Sequence, residues 1–279
     1  MKKLALVVGI NYYGTSRQLG GCLNDAEKIT EKLIEEFGFD LKDIQLLVEE
    51  FATRQNILDG IQRLIRELSA GDLGVFTYAG HGTQTVDLPP IEEPDMLDEA
   101  IVPYDAVNNR ENLIRDDEIG AKLAQLVTDS HFVVIFDSCH SATATRMQPE
   151  ILNNLLFSQS KAEEKPRLIL PDLPVNRIQM IINNIAANIN IDTSKTTTKR
   201  HPLEGKNHIL IAACAADGLA YEDGIHGYFT DELLKLLKKE MTYQELYAKV
   251  HEKVMLRTGN RQEPHIEGPL LTRKVFAEN

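Results

Sequence analysis

Two short stretches hold the residue types that could perform nucleophilic chemistry. Cys139 stands in Asp137-Ser138-Cys139-His140-Ser141, and His81 in Tyr78-Ala79-Gly80-His81-Gly82. A free thiol has a pKa near ~8.5, so little of it is thiolate at neutral pH. A neighbouring imidazole takes the proton, or as imidazolium stabilises the thiolate. The glycines flanking His81 let the backbone approach a bound molecule closely. The N–H of Gly82, with that of Cys139, would hold the oxyanion of a tetrahedral intermediate. Taken singly, each residue has a plainer explanation: Cys139 as buried core, His81 as a hydrogen-bonded loop residue. Together, at the ends of two apolar runs, they point to a Cys–His pair.

The elements that must position this pair can be read from periodicity. Continuous apolar runs at 3–9, 44–48, 72–79, 131–136 and 208–214 predict strands buried on both faces. A short strand near Ala100–Val102 is expected in the acidic, Pro-rich stretch 87–117, and a final strand at 270–276. Helical spacing predicts helices over 22–37 (capped by Asn24 or Asp25), 54–68 (capped by Thr53), 116–126 (capped by Asp116 or Asp117), 228–239 and 242–256. Alternating strands and helices imply a mostly parallel sheet covered on both faces, with function at the carboxyl ends of its strands. The stretch 141–206 breaks the alternation and reads as a polar insertion or linker, with a short helix near 177–189.

Composition bounds the rest. With 279 residues the chain is long enough for a sizeable core. A balance of 30 basic against 42 acidic residues, net −12, disfavours nucleic acid and anionic membrane as partners. Cys22, Cys139 and Cys214 build no disulfide framework, which suits a reducing, cytoplasmic compartment. No apolar run reaches the ~18 residues of a membrane span.

At this point the sequence resembles a known family. LALVVGINYY, GGCLNDA at 20–26, YAGHGTQ at 78–84, DEAIVPYD at 98–105, IRDDEI at 114–119, FDSCHSATATR at 136–146, HILIAACAADGLAYE at 208–222, HGYFTDELL at 226–234 and RQEPHIEGP at 261–269 follow one another as in the caspase-like cysteine peptidases. The likeness is closer to the metacaspase and orthocaspase branch. His81 precedes Cys139 by 58 residues, against ~50 in the caspase signature. The resemblance implies a three-layer α/β fold with a mostly parallel six-stranded sheet. It divides one peptidase domain into a large-subunit-like part (1–146), a linker (147–206) and a small-subunit-like part (207–279). It implies an endopeptidase with His81 and Cys139 as catalytic dyad and Gly82 in the oxyanion hole. A thioacyl intermediate and a monomeric state are also implied.

The family positions also predict what is cut. Aspartate-specific relatives carry Gln-Ala-Cys at the nucleophile and an arginine that falls here on Leu19; this chain has Asp137-Ser138-Cys139. Asp25 and Asp137, with Cys22 beside them, match the family's primary pocket. Two carboxylates there would pair with a guanidinium or ammonium, so protein or peptide substrates with Arg or Lys are expected, Arg where its fork geometry can be used. Arg146, Lys161, Lys165, Arg167, Lys199 and Arg200 are then candidate self-cleavage sites in the linker. Asp98, Asp116 and Asp117 match part of the family's calcium cluster. Its further aspartate is Arg146 here, which opposes a metal and leaves calcium activation open. The alternative to a peptidase is a signalling or scaffold module that keeps the fold without turnover.

Overall fold

A computed structural model of the chain describes residues 1–86, 97–139, 164–170, 207–215 and 218–277. Five predicted apolar runs and one strand that was not predicted form the central sheet. Its strands are β1 (Lys3–Gly9), β2 (Ile44–Val48), β3 (Leu73–Ala79), β7 (His131–Asp137), β9 (Ile209–Ala212) and β11 (His265–Glu267), in the order β11-β9-β7-β3-β1-β2. All neighbours pair parallel except β11, which runs antiparallel to β9.

Strand alternation divides the core in two. Leu4, Leu6 and Val8 of β1 face one layer with Phe76, Tyr78, Val134 and Phe136, under helices α2 (Arg54–Glu67) and α3 (Asp116–Leu123). Ala5 and Val7 face the other with Val75, Val133 and Ile135, under α1 (Cys22–Glu35), α4 (Tyr228–Leu236) and α5 (Tyr243–Thr258). The inner strands β1, β3, β7 and β9 therefore bury both faces, the edge strands β2 and β11 only partly, and the predicted three-layer α/β arrangement is what forms. A second small sheet, β4 (Gly82–Val86), β5 (Leu97–Ile101) and β6 (Ile114–Arg115), continues from the end of β3. A two-stranded ribbon pairs β8 (Lys165–Pro166) with β10 (Tyr221–Glu222).

Several expectations need correction. Residues 270–276 are not a strand: Leu270 and Phe276 have φ of 67° and 53°, outside any strand. Val275 and Phe276 instead bury against the α1 side, where the Phe276 ring meets Phe37 edge-on. The last strand is β11, a few residues earlier. Thr53 caps α2, its side chain accepting the N–H of Asn56. Asn24 and Asp25 do not cap α1, which starts at Cys22 behind Gly21 and leaves Asp25 buried in its first turns. Asp116 and Asp117 are the first residues of α3 rather than its cap, which is Arg115. The linker is not uniformly a solvated insertion, because residues 164–170 are built into the cleft described below. The helix expected at 177–189, and Arg146, lie outside the described residues.

Candidate active site

The register of the sheet sets the site. Ala79 of β3 lies opposite Asp137 of β7. His81 and Cys139, each two residues further on, therefore leave the sheet at the same height on adjacent strands. Both side chains are buried.

His81 is seated from below by two tyrosines. The Tyr12 hydroxyl accepts the His81 N–H (3.0 Å) and donates to the Val102 carbonyl (2.6 Å), while the Tyr78 hydroxyl donates to the His81 carbonyl (2.7 Å). The Tyr12 ring lies 4.8 Å from the imidazole. The imidazole Nε2 is 2.7 Å from the carbonyl oxygen of Arg17. A carbonyl only accepts, so Nε2 carries the proton and Nδ1 keeps its lone pair. Nδ1 has no hydrogen-bond partner among the described residues. Burial is the main reason the imidazole is pushed down to about 4, with the backbone of Arg17 and, more weakly, that of Arg167 in the seated segment opposing it.

The thiol is turned elsewhere. Cys139 Sγ accepts the N–H of Ala220 at 3.1 Å and lies 3.5 Å from the Ala220 carbonyl. Burial pushes the thiol up to about 12, the Ala220 bond acting against it. Among the described residues no hydrogen bond joins His81 to Cys139. A protonated thiol beside a neutral imidazole is a pair at rest.

The cleft over this pair is filled by the chain's own linker. Arg167 N–H bonds the Ala220 carbonyl (2.9 Å), Ile169 N–H bonds the Gly82 carbonyl (2.9 Å), and β8 lies antiparallel to β10. The carbonyl oxygen of Arg167 receives the N–H of Gly82 at 3.0 Å and that of Cys139 at 3.3 Å. Two converging N–H groups on one carbonyl are the geometry that stabilises a developing oxyanion. Gly82 is required by close approach: a Cβ there would fall 1.6 Å from the Cys139 carbonyl oxygen.

The Arg167 side chain, 0% exposed, descends into a recess of three carboxylates. Nη2 lies 2.5 Å from Asp25 Oδ2, Nη1 3.1 Å from Asp137 Oδ2, and Nε 3.3 Å from Glu222 Oε2. Each carboxylate is held from behind. Asp25 receives the Gly227 N–H at Oδ2 and faces His226 Nδ1 at Oδ1 (2.9 Å); Asp137 receives the Thr230 N–H and hydroxyl; Glu222 receives the N–H groups of Gly20 and Gly21. Desolvation, with repulsion from Asp25, pushes Asp137 up to about 6, against the pull of Arg167. The Cys22 thiol closes the recess 3.7 Å from Glu222 and is held protonated chiefly by burial. Asp25, Asp137 and Cys22 were all expected here. Glu222, His226, Thr230 and Tyr12 were not singled out, although each lies inside a stretch carrying the family resemblance.

The acidic triad expected to hold a metal is built on the small sheet and the start of α3, Asp98 lying on β5 opposite Thr85 of β4. One ligand oxygen from each of Asp98, Asp116 and Asp117 falls within 4.8 Å of the others. Asp116 Oδ1 is buried and has no partner among the described residues, and desolvation with the Asp98 contact pushes this carboxyl up to about 10. A divalent ion would relieve both, and the hard oxygen set suits calcium. Arg115 Nε already lies 3.4 Å from Asp98 Oδ2.

The family profile described as Caspase domain matches residues 2–276, almost end to end. The chain belongs to the caspase-domain family. Within it, Metacaspase-1 of Cryptococcus neoformans is 38% identical over 149 residues, covering 51% of this chain and 32% of that protein. Metacaspase-8 of Arabidopsis thaliana is 38% identical over 150 residues, covering 50% and 37%. The matched stretch thus spans about a third of the length of these curated relatives. Among solved structures, protein GSU0716 from Geobacter sulfurreducens superposes with a TM-score of 0.66 at 25% identity, over 100% of this chain and 99% of that one. The structure of pro-sf-caspase-1 superposes with a TM-score of 0.53 at 14% identity, covering 100% and 91%, a likeness of fold. Among the described residues of this caspase-domain protein, no helix is long and apolar enough to cross a membrane.

Proposed function

We propose that this protein is a cysteine endopeptidase that cleaves after arginine, and that Arg167–Leu168 is a bond of its own that it cuts. The observation that carries the reading is Arg167 itself: its carbonyl sits between two N–H donors beside Cys139 while its guanidinium fills the acidic recess. Cys139 attacks the carbonyl carbon after rotating away from the Ala220 N–H. His81 Nδ1, the free lone pair, takes the thiol proton. Gly82 and Cys139 N–H groups hold the oxyanion, and the proton on His81 then passes to the leaving amine. The result is a thioacyl-enzyme that water resolves. Three carboxylates meeting Nε, Nη1 and Nη2 separately favour the planar fork of arginine over the point charge of lysine.

The resting pair follows from the filled cleft. Desolvation is the first cause of both the raised thiol and the lowered imidazole, so proton transfer is slow while the segment is seated and the self-cut is a slow event. Departure of the severed segment and entry of water bring the pKa values of the two groups closer together for added substrates. Asp98, Asp116 and Asp117 would hold calcium, whose two positive charges would offset most of the repulsion among these carboxylates and stiffen the small sheet that carries Gly82.

The test uses short peptides ending in Arg, Lys or Asp before a fluorogenic group, with Cys139→Ala as control. Turnover in the order Arg over Lys, with Asp uncut, is expected. A Cys139→Ala protein that retains turnover, or an Asp peptide cut as fast as Arg, would overturn the proposal. Absence of turnover with all peptides and with the intact chain would favour the scaffold alternative.

A further inference from the structure

The segment in the cleft is held at a second point, three residues before Arg167. Glu164 Oε2 lies 2.7 Å from Arg261 Nη2, and Glu164 Oε1 accepts the Tyr228 hydroxyl at 2.8 Å. Both receiving groups are fixed by the body of the protein. Arg261 Nε bonds the Thr258 carbonyl at 2.9 Å, and its guanidinium lies over the Tyr221 ring, 5.0 Å from the centroid. Tyr221 belongs to β10, the strand against which the segment pairs. Tyr228 opens α4 and is buried, with the Arg257 guanidinium 4.3 Å from its ring centroid.

The charges distinguish the two arginines. Arg257 is already neutralised by Asp223, Asp231 and Glu232. Arg261 has a single carboxylate partner among the described residues, and that partner is Glu164, which belongs to the segment rather than to the wall. In a chain of net charge −12, a cation left to be matched by the occupant of the cleft is a selective feature.

Resting on the proposed cleavage after arginine, we propose that Arg261 and Tyr228 form a subsite for an acidic side chain three residues before the arginine, so that preferred substrates read Glu-x-x-Arg. The chain's own Glu164-Lys165-Pro166-Arg167 is the first example. Glutamate reaches both groups with its two oxygens, one to each, so it is preferred to aspartate.

The experiment uses the full chain carrying both Glu164→Ala and Arg167→Ala, which takes the segment's own carboxylate off Arg261 and Tyr228 and its guanidinium out of the recess, so that the uncut segment no longer holds the cleft against added peptide. Three fluorogenic peptides, Glu-Lys-Pro-Arg, Leu-Lys-Pro-Arg and Lys-Lys-Pro-Arg, are compared by kcat/KM. The glutamyl peptide should lead the leucyl one by about tenfold, the equivalent of one charge-assisted bond of about 1.4 kcal/mol. With Arg261→Gln added, that ratio should fall toward one. With Arg261→Glu it should invert, the lysyl peptide leading. Tyr228→Phe, which keeps the ring under Arg257, should lower the ratio without inverting it. Equal rates for all three peptides, or a ratio untouched by the Arg261 substitutions, would sink the subsite while leaving cleavage after arginine intact. If none of the three is cut, cleavage after arginine falls and the subsite falls with it.

Discussion

Replacing Arg167 by glutamine tests the central contact most directly. The guanidinium meets Asp25, Asp137 and Glu222 and donates a further bond from Nη1 to the Asp137 carbonyl at 3.1 Å. Removing one partner of a buried, hydrogen-bonded charge pair costs about 3–5 kcal/mol. The bonds share one guanidinium and do not add, and water enters the recess once the segment is loose, so the lower half of that range is the better expectation. At about 1.4 kcal/mol per tenfold, Arg167→Gln should slow cutting of the 167–168 bond by roughly a hundredfold or more. Arg167→Lys keeps the charge and loses the fork, so it should slow the cut by about tenfold. The assay is intact mass against time for fragments 1–167 and 168–279, with Cys139→Ala as the blank. Thermal unfolding of each variant confirms that the fold persists. If Arg167→Gln yields the same two fragments at the rate of the parent chain, the acidic recess does not recognise this residue and the argument from its geometry is wrong.

Other expectations follow from single contacts. Gly82→Ala should abolish turnover, because the added methyl would sit 1.6 Å from the Cys139 carbonyl oxygen and must push the two N–H donors apart; activity within tenfold of the parent would show that the donor pair is not used. Asp116→Asn should remove any rise in melting temperature produced by calcium, and Asp98→Asn likewise, while Arg115→Gln should increase the rise. An identical calcium shift in the parent and both Asn variants would refute the site. The two buried histidines set a pH dependence. Burial, acting first, holds His81 and His131 at about 4 against an ordinary 6.5. The unfolded chain therefore binds more protons between pH 6.5 and 4, and stability should fall as pH drops through that window. In Cys139→Ala protein, His131→Gln should flatten the melting-temperature profile there; an unchanged slope would count against it.

The inner strands were legible because they are buried on both faces and so appear as unbroken apolar runs, whereas the half-buried edge strand His265–Glu267 shows no such run, and Thr53 announced its helix through a local side-chain bond. His81 and Cys139 were legible for the same reason: each ends such a run, and the sheet register then aligns them. What escaped depends on pairing across the chain. Glu222 meets Gly20, and Arg167 meets Asp25, 202 and 142 residues away, and both sit in two-residue strands or beside them, too short to show any period. The polar composition around Lys165 reads as solvent-facing, yet it supplies the occupant of the most acidic recess described. The misread strand at 270–276 has the composition of one. Its two left-handed residues, Leu270 and Phe276, curl it back over the α1 layer, and apolar content alone does not reveal a reversal of φ.

The linker also touches the protein on the far side of the cut. Leu168 and Ile169 are buried, and Arg110 holds the Leu170 carbonyl at 2.6 Å. Scission of the 167–168 bond therefore frees neither end by itself: the new arginine terminus remains tethered in its seat at a high effective concentration. Breaking the chain and becoming available to other molecules are then successive events with separate rates. Catalysis on added peptide should begin with a lag whose length follows ejection of the severed tail rather than the severing.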